Sequence, residues 1–387
     1  CDSEIIVATS PLMAPVLSDH YNTSCPSASQ AQMNGSFGGD FNALSTLYLP
    51  LINAISDVLN IKQVPPAESI CKYEDPSFAG DTCTLSKLGY RYTGEYWQGM
   101  ALSPLYYASQ FAEMFMLQYV GNVTNWGFGE MSYTQLTQLY QLHTQVMAFG
   151  TNWWNAQRNG AQTLGYILMT MEQSINGEPI DGLYPGTVKD KITLLFNHDT
   201  NLLYLRELLS VEWLVKAFDL NVASTAGALG FELWKDHNNR RYVRVYYTAA
   251  RPDQQRNAEL LSSANPPSIA YLIIKQCGDY FCPYAKFRAI VLDIIDTRCL
   301  EMPLKGSIEN LNAMLSSSAG SCDDDDESQW KTTTIVVGVL GGTLVLLAVG
   351  WCVYRLYRGS DSVRTRYASV ASSHGLQDDE RGQEMSE

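Results

Sequence analysis

His198-Asp199 is the pair of neighbours best suited to chemistry in this sequence. An imidazole beside a carboxylic acid offers a hydrogen-bond donor and a proton donor, the parts of general acid catalysis. The pair follows the β-like run Lys191-Ile-Thr-Leu-Leu-Phe196 and precedes Asn201 to Val215, apolar at helical spacing. Beyond a strand end, a helix N-terminus presents free N–H groups and a positive dipole, which suit phosphate. On spacing alone, a His-Asp pair is weak evidence, and a capping Asp next to a surface His is the commoner arrangement.

The flanking elements must hold that pair in place. Glu4-Ile-Ile-Val-Ala-Thr-Ser10 reads as a short buried strand, followed by a Ser/Asn/Gly-rich stretch to Asp40. From Phe41 to Asn176 the pattern is helical, with three- and four-residue apolar spacing over Leu44 to Leu59, Pro104 to Val120 and Ser132 to Phe149. Pro65-Pro66 and the stretch from Cys71 to Cys83 mark loops. Further on, Gly230 to Trp234 and Tyr242 to Tyr247 alternate as two strands joined by a polar turn over Asp236 to Asn239. The expected architecture is α/β: a sheet flanked by helices and interrupted by a helical insertion, with the core over 1–40 and 186–310 and the insertion over 41–185.

The segment 332–354 carries no charge and spans roughly 34 Å as a helix, enough for a bilayer core. Arg355, Arg358, Arg364 and Arg366 follow it, whereas Asp323 to Glu327 precede it. Basic residues stay cytoplasmic, so the reading is a single-pass type I protein with a lumenal or extracellular domain over 1–330 and a tail over 355–387. Eight of the nine cysteines precede the span, as an oxidising compartment allows. Sequons at Asn22, Asn34 and Asn122 lie on the same side. Of the net charge of −14, the tail accounts for only one unit. An acidic ectodomain suits endosome, lysosome or cell surface and excludes a broad nucleic-acid surface. Gly338 and Gly342 form a G-x-x-x-G that lets two helices approach, so a homodimer stands beside plain glycine usage. Tyr367-Ala-Ser-Val370 fits an endocytic sorting pattern, or a solvated tail. The start at Cys1, without a charged and then apolar leader, reads as a processed chain or a fragment. No C-x₂-C spacing implies zinc and no Gly-rich loop implies a nucleotide, so neither metal nor cofactor is expected.

His198-Asp199-Thr-Asn-Leu resembles the "HD" motif of the histidine acid phosphatases, branch 2 of the histidine phosphatases. Gly230-Phe-Glu-Leu-Trp with Tyr242-Val-Arg-Val-Tyr-Tyr resembles the strand pair after that motif. Cys277-Gly-Asp-Tyr-Phe-Cys282-Pro-Tyr-Ala-Lys-Phe287 resembles the family's Cys…Cys-Pro-x-x-x-Phe signature. Met131-Ser-Tyr-Thr-Gln-Leu to His143 is similar to an insertion-domain helix, and Gln30-Ala-Gln-Met-Asn-Gly35 to the end of the helix after an early strand. The resemblance covers most of 4–300, and with the span and tail it is nearest to the membrane-bound acid phosphatases of kinetoplastid parasites.

The resemblance implies hydrolysis of small phosphomonoesters or phosphoproteins through a phosphohistidine, with Asp199 as proton donor, His198 as a phosphate contact and Cys277 paired with Cys282. Cys71, Cys83 and Cys299 are candidates for tying the insertion to the core. Cys1, Cys25 and Cys322 stay unassigned, and Cys352 lies in the span. The family's Arg-His-Gly-x-Arg nucleophile segment is absent: no Arg-His-Gly occurs, and the first arginine is Arg91. Ser24 falls where the family has a further arginine, and His20 is followed by Tyr-Asn. Losing nucleophile and clamp together abolishes turnover, because electrostatic stabilisation carries most phosphoryl-transfer catalysis. Two readings therefore stay open: an acid phosphatase whose nucleophile segment lies outside this chain, or an inactive pseudophosphatase serving as a surface or endosomal glycoprotein.

Overall fold

The computed structural model describes residues 25–26, 41–88, 103–129, 131–180, 188 and 190–319. The expected strand over 4–10, the sequons at Asn22 and Asn34, and the span over 332–354 lie outside these residues. Among the described residues, no helix is long and apolar enough to cross a membrane.

The helical half starts with α1 (Phe41–Leu47), α2 (Leu49–Val58) and the short α3 (Ile70–Glu74). Two longer helices follow, α4 (Pro104–Val120) and α5 (Tyr133–Gly150), each with a sequence-encoded start. Ser103 accepts the Tyr106 N–H at 3.1 Å, and Pro104 sits in the first turn, where its missing N–H costs nothing. Ser132 and Gln135 form a reciprocal capping box. The apolar faces of α2, α4 and α5 bury Ile52, Ile55, Leu105, Phe115, Leu136 and Leu142 in one cluster.

A second cluster gathers α6 (Trp153–Asn176), α7 (Asp199–Leu209), the sheet and α9 (Tyr284–Ile294) around Tyr204, Trp213, Tyr247 and Phe287. Gly160 lets α6 and α7 touch. A Cβ there would stand 2.7 Å from the Tyr204 Cβ, so glycine sets how closely α7 approaches. Two buried polar side chains of α6 then fix α9. Gln157 donates to the Ile294 carbonyl at 2.6 Å and accepts from the Asp296 N–H at 3.0 Å. Glu172 accepts from the Tyr284 hydroxyl at 2.8 Å and pairs with Arg288 at 3.3 Å.

The sheet comprises β1 (Ala228–Lys235), β2 (Arg241–Ala249), β3 (Ser268–Leu272) and the two-residue β4 (Cys282–Pro283). Their pairings are antiparallel, in the order β1-β2-β3, with β4 also on β2. In β2, Val243, Val245, Tyr247 and Ala249 are buried in strict alternation, the period-two signature read from the sequence. The turn over 236–240 is held by Asp236, which accepts the N–H groups of Asn238 and Arg240 and the Arg240 Nε. The short helix α8 (Pro252–Arg256) follows β2, and the 16-residue α10 (Leu304–Ala319) follows α9.

Three expectations are corrected. Residues 191–196 form no strand: Ile192, Leu194 and Phe196 are exposed, at 77%, 62% and 66%. Alternating apolar residues specify a face, but a strand also needs a partner for its N–H and C=O groups, and none of the described strands pairs with this run. The helix expected over Asn201 to Val215 stops at Leu209, because Ser210 takes a left-handed conformation and the Val211 N–H closes onto the Arg206 carbonyl. Val211, Trp213 and Val215 are buried without being helical, so their apolar spacing reports burial rather than helix. Cys299 joins Cys25, and Cys71 joins Cys83 within the helical half, so neither bond ties that half to the sheet. Cys277 and Cys282 are bonded, as the resemblance implied.

Candidate active site

Helix α7 places the central group. His198 takes the N-cap position with extended backbone, and its N–H donates to the Asn201 side chain at 3.1 Å. Asp199 opens the first turn, where a carboxylate complements the helix dipole, and its Oδ1 accepts the Thr200 N–H at 2.7 Å. Seven residues on, two helical turns away on the same face, stands Arg206.

Asp199, Leu203 and Arg206 form one wall of a cavity of about 190 Å³, Tyr140, His143 and Met147 of α5 another, and residues 220–223 the rim. Pockets for drug-sized ligands hold about 300–1,000 Å³, so this one suits a small group such as a phosphoryl. The Nε of Arg206 is buried without a hydrogen-bond partner, and its Nη2 meets Glu207 at 3.3 Å. A guanidinium with an unused buried N–H at a cavity wall is equipped to take an oxyanion.

His143 is almost fully buried and its ring stands between two carboxylates. Nε2 lies 3.6 Å from Asp199 Oδ2, and Nδ1 lies 3.6 Å from Glu113 Oε2 of α4. Both distances exceed good hydrogen bonds, so these are charge contacts. Tyr140 stacks on the ring, with centroids 5.2 Å apart. Glu113, His143 and Asp199 offer ligand atoms within 4.8 Å of one another. The two carboxylates face opposite nitrogens of one imidazole.

The carboxyls are tuned in opposite directions. Burial pushes Asp199 up, but contact with His143, the His143 charge, the Thr200 N–H and the His198 charge outweigh it, holding Asp199 below the usual range. Glu113 is raised, by burial first and also by the Asp199 charge, against the opposing His143. Burial and the nearby carboxylates likewise push the Tyr140 hydroxyl upward.

Of the residues singled out from sequence, Asp199 lines the cavity, whereas His198 is exposed and is not part of its wall. The structure adds Arg206, His143 and Glu113. Arg206 had a signal, its seven-residue spacing from Asp199. Glu113 and His143 come from two other helices, and no local spacing links them to Asp199.

The model of the histidine phosphatase superfamily, branch 2, matches residues 43–248, more than half of the chain. The chain belongs to this superfamily. Within the histidine phosphatases, glucose-1-phosphatase of Salmonella typhimurium is 32% identical over 101 residues, which cover 25% of this chain and 24% of that protein. Hafnia alvei phytase in complex with tartrate superposes with a TM-score of 0.55 at 22% identity, covering 69% of this chain and 64% of the phytase. Citrobacter braakii phytase gives a TM-score of 0.53 at 20% identity, over 69% and 65%. The chain thus spans about a quarter of the curated relative and just under two thirds of the phytases, whose likeness shows a shared histidine phosphatase fold.

Proposed function

We propose that this chain carries the leaving-group side of a phosphomonoester hydrolase site. The observation that carries the reading is a cavity with Asp199 at its helix N-terminus and Arg206 two turns along the same face. A phosphate ester in the cavity places its oxygens against the Arg206 guanidinium and the dipole of α7. The ester oxygen then meets Asp199, which gives its proton to the departing alkoxide. The bound phosphate brings negative charge beside Asp199, raising its pKa from the depressed value of the free site, so that it is protonated when needed. The resemblance puts the phosphohistidine nucleophile in an Arg-His-Gly segment. That tripeptide does not occur in these 387 residues, and no step here is routed through it. The relatives' names, glucose-1-phosphatase and phytase, support small phosphate esters as the substrate class.

The experiment is hydrolysis of 4-nitrophenyl phosphate at acid pH by the protein expressed from its full coding sequence. Turnover is expected, and Arg206→Ala should raise KM by about 10–100-fold, the loss of one charge-assisted oxyanion contact of about 1.5–3 kcal/mol. An unchanged KM would remove Arg206 from the phosphate site.

We further propose a single-pass type I membrane protein of the endosome, lysosome or cell surface, supported by the uncharged stretch 332–354 and the arginines after it. Asn122 supports a glycosylated ectodomain, being exposed in the turn after α4. The protein should stay in the pellet when membranes are washed with alkaline carbonate; release into the supernatant would contradict the span.

A second reading, a non-catalytic glycoprotein that keeps the fold, is favoured by one observation, the absence of Arg-His-Gly. Absence of all turnover in the same assay would select it.

A further inference from the structure

Glu113, His143 and Asp199 come from three helices, α4, α5 and α7, and converge. One ring nitrogen and one oxygen from each carboxyl group lie within 4.8 Å of one another. His143 is buried, its side chain 4% exposed, and its Nδ1 has no hydrogen-bond partner. A buried polar atom in that condition costs free energy. It faces Glu113 Oε2 at 3.6 Å, and Nε2 faces Asp199 Oδ2 at 3.6 Å.

These separations are long for hydrogen bonds but close to what a shared cation needs. Zinc holds imidazole nitrogen and carboxylate oxygen at about 2.0–2.2 Å, which puts the ligand atoms of a tetrahedral site about 3.4 Å apart. Either nitrogen of His143 and the carboxylate oxygen facing it already stand near that spacing. The remaining carboxylate has room to close up, because the Glu113 and Asp199 side chains are 31% and 27% exposed. An ion also has a way in, since His143 and Asp199 line the cavity of about 190 Å³. Arg206, a cation in the same wall, has a carboxylate of its own in Glu207 at 3.3 Å. An imidazole among carboxylates favours zinc over magnesium or calcium, which take oxygen ligands.

We propose that Glu113, His143 and Asp199 form an inhibitory zinc site, with one ring nitrogen and two carboxylate oxygens as ligands and the fourth position left to water from the cavity. Zinc on the Asp199 carboxylate takes the place of its proton, which leaves to solvent. The zinc-bound form therefore has no acid to give to a departing alkoxide. The inhibitory part rests on the reading of Asp199 as the acid; the site itself stands on the three side chains. No local spacing announces it in the sequence, because each ligand comes from a different helix.

The test uses the full chain in detergent, stripped with a chelator and titrated with zinc against a chromophoric competitor near neutral pH. Excess magnesium is present to occupy the acidic run Asp323 to Glu327. Wild type should bind one zinc ion that His143→Gln does not. Glu113→Gln should bind that ion at least about 10–100-fold more weakly, since loss of an outer-shell partner alone costs a metal site that much. Saturating zinc should also stop hydrolysis of an alkyl phosphate, whose leaving group needs the acid, and a chelator should restore it. Equal zinc affinity in wild type and Glu113→Gln overturns the proposal, and so does alkyl phosphate turnover that saturating zinc leaves unchanged. Glu113 is partly exposed, so Glu113→Gln decides the matter even where His143→Gln does not fold. Zinc binding weakened in the variants, with no turnover of any ester by wild type, supports the site while the phosphatase reading fails; turnover with equal zinc affinity overturns the site alone.

Discussion

Asp199→Asn is expected to lower kcat on an alkyl phosphate by about 10²–10⁴-fold, the range for loss of a positioned general acid. In barrier terms this is about 3–5 kcal/mol. Asparagine has nearly the same shape and keeps an oxygen for the Thr200 N–H, now 2.7 Å from Asp199 Oδ1, so α7 retains its start. It cannot give a proton to an alkoxide. KM should change little, because the Arg206 contact and the helix dipole remain. Steady-state kinetics on wild type and variant separate the two constants. A loss confined to KM would mean that Asp199 binds phosphate and does not act as the acid.

The second large effect concerns the support of the site. Glu172 is buried in α6, its side chain 4% exposed, and it faces the Tyr284 hydroxyl and Arg288 of α9. Glu172→Ala leaves Arg288 without its carboxylate and the Tyr284 hydroxyl without its acceptor. Breaking a buried pair from one side costs about 3–5 kcal/mol. Arg288 keeps some access to water, its side chain 26% exposed, which places the expected loss near the lower end. The midpoint of urea unfolding measures it. Glu172→Gln keeps an acceptor for Tyr284 and should lose less. Because α6 also carries Gly160, the contact on which α7 rests, Glu172→Ala should lower phosphatase activity along with stability. An unchanged midpoint would show that α6 and α9 do not depend on this pair.

The sequence made the capped helices and the hairpin legible. Pro104, Ser132 and Asp236 state where elements begin or turn, through groups that act within a few residues. The run Lys191 to Phe196 misled because its alternation says which side chains share a face, and pairing depends on backbone elsewhere in the chain. Val211, Trp213 and Val215 misled for a related reason: burial and helical spacing look alike over a few residues. In the site, Asp199 was legible from its place before a helix, and Arg206 could have been found seven residues on. His143 and Glu113 were out of reach, since the packing of α4 against α5 brings them to Asp199. Cys25 pairs with Cys299 across most of the described chain, a choice no spacing rule makes.

Rates of hydrolysis across a series of phosphate monoesters, from nitrophenyl to simple alkyl, test the central claim most directly. Wild type and Asp199→Asn are compared, both expressed from the full coding sequence. A general acid removes much of the penalty for a poor leaving group. Wild-type rates should therefore depend weakly on the leaving alcohol, while those of Asp199→Asn fall steeply as its pKa rises. Parallel dependences in the two proteins, or no turnover of any ester by wild type, would contradict the assignment of Asp199 as the acid of a phosphomonoester hydrolase.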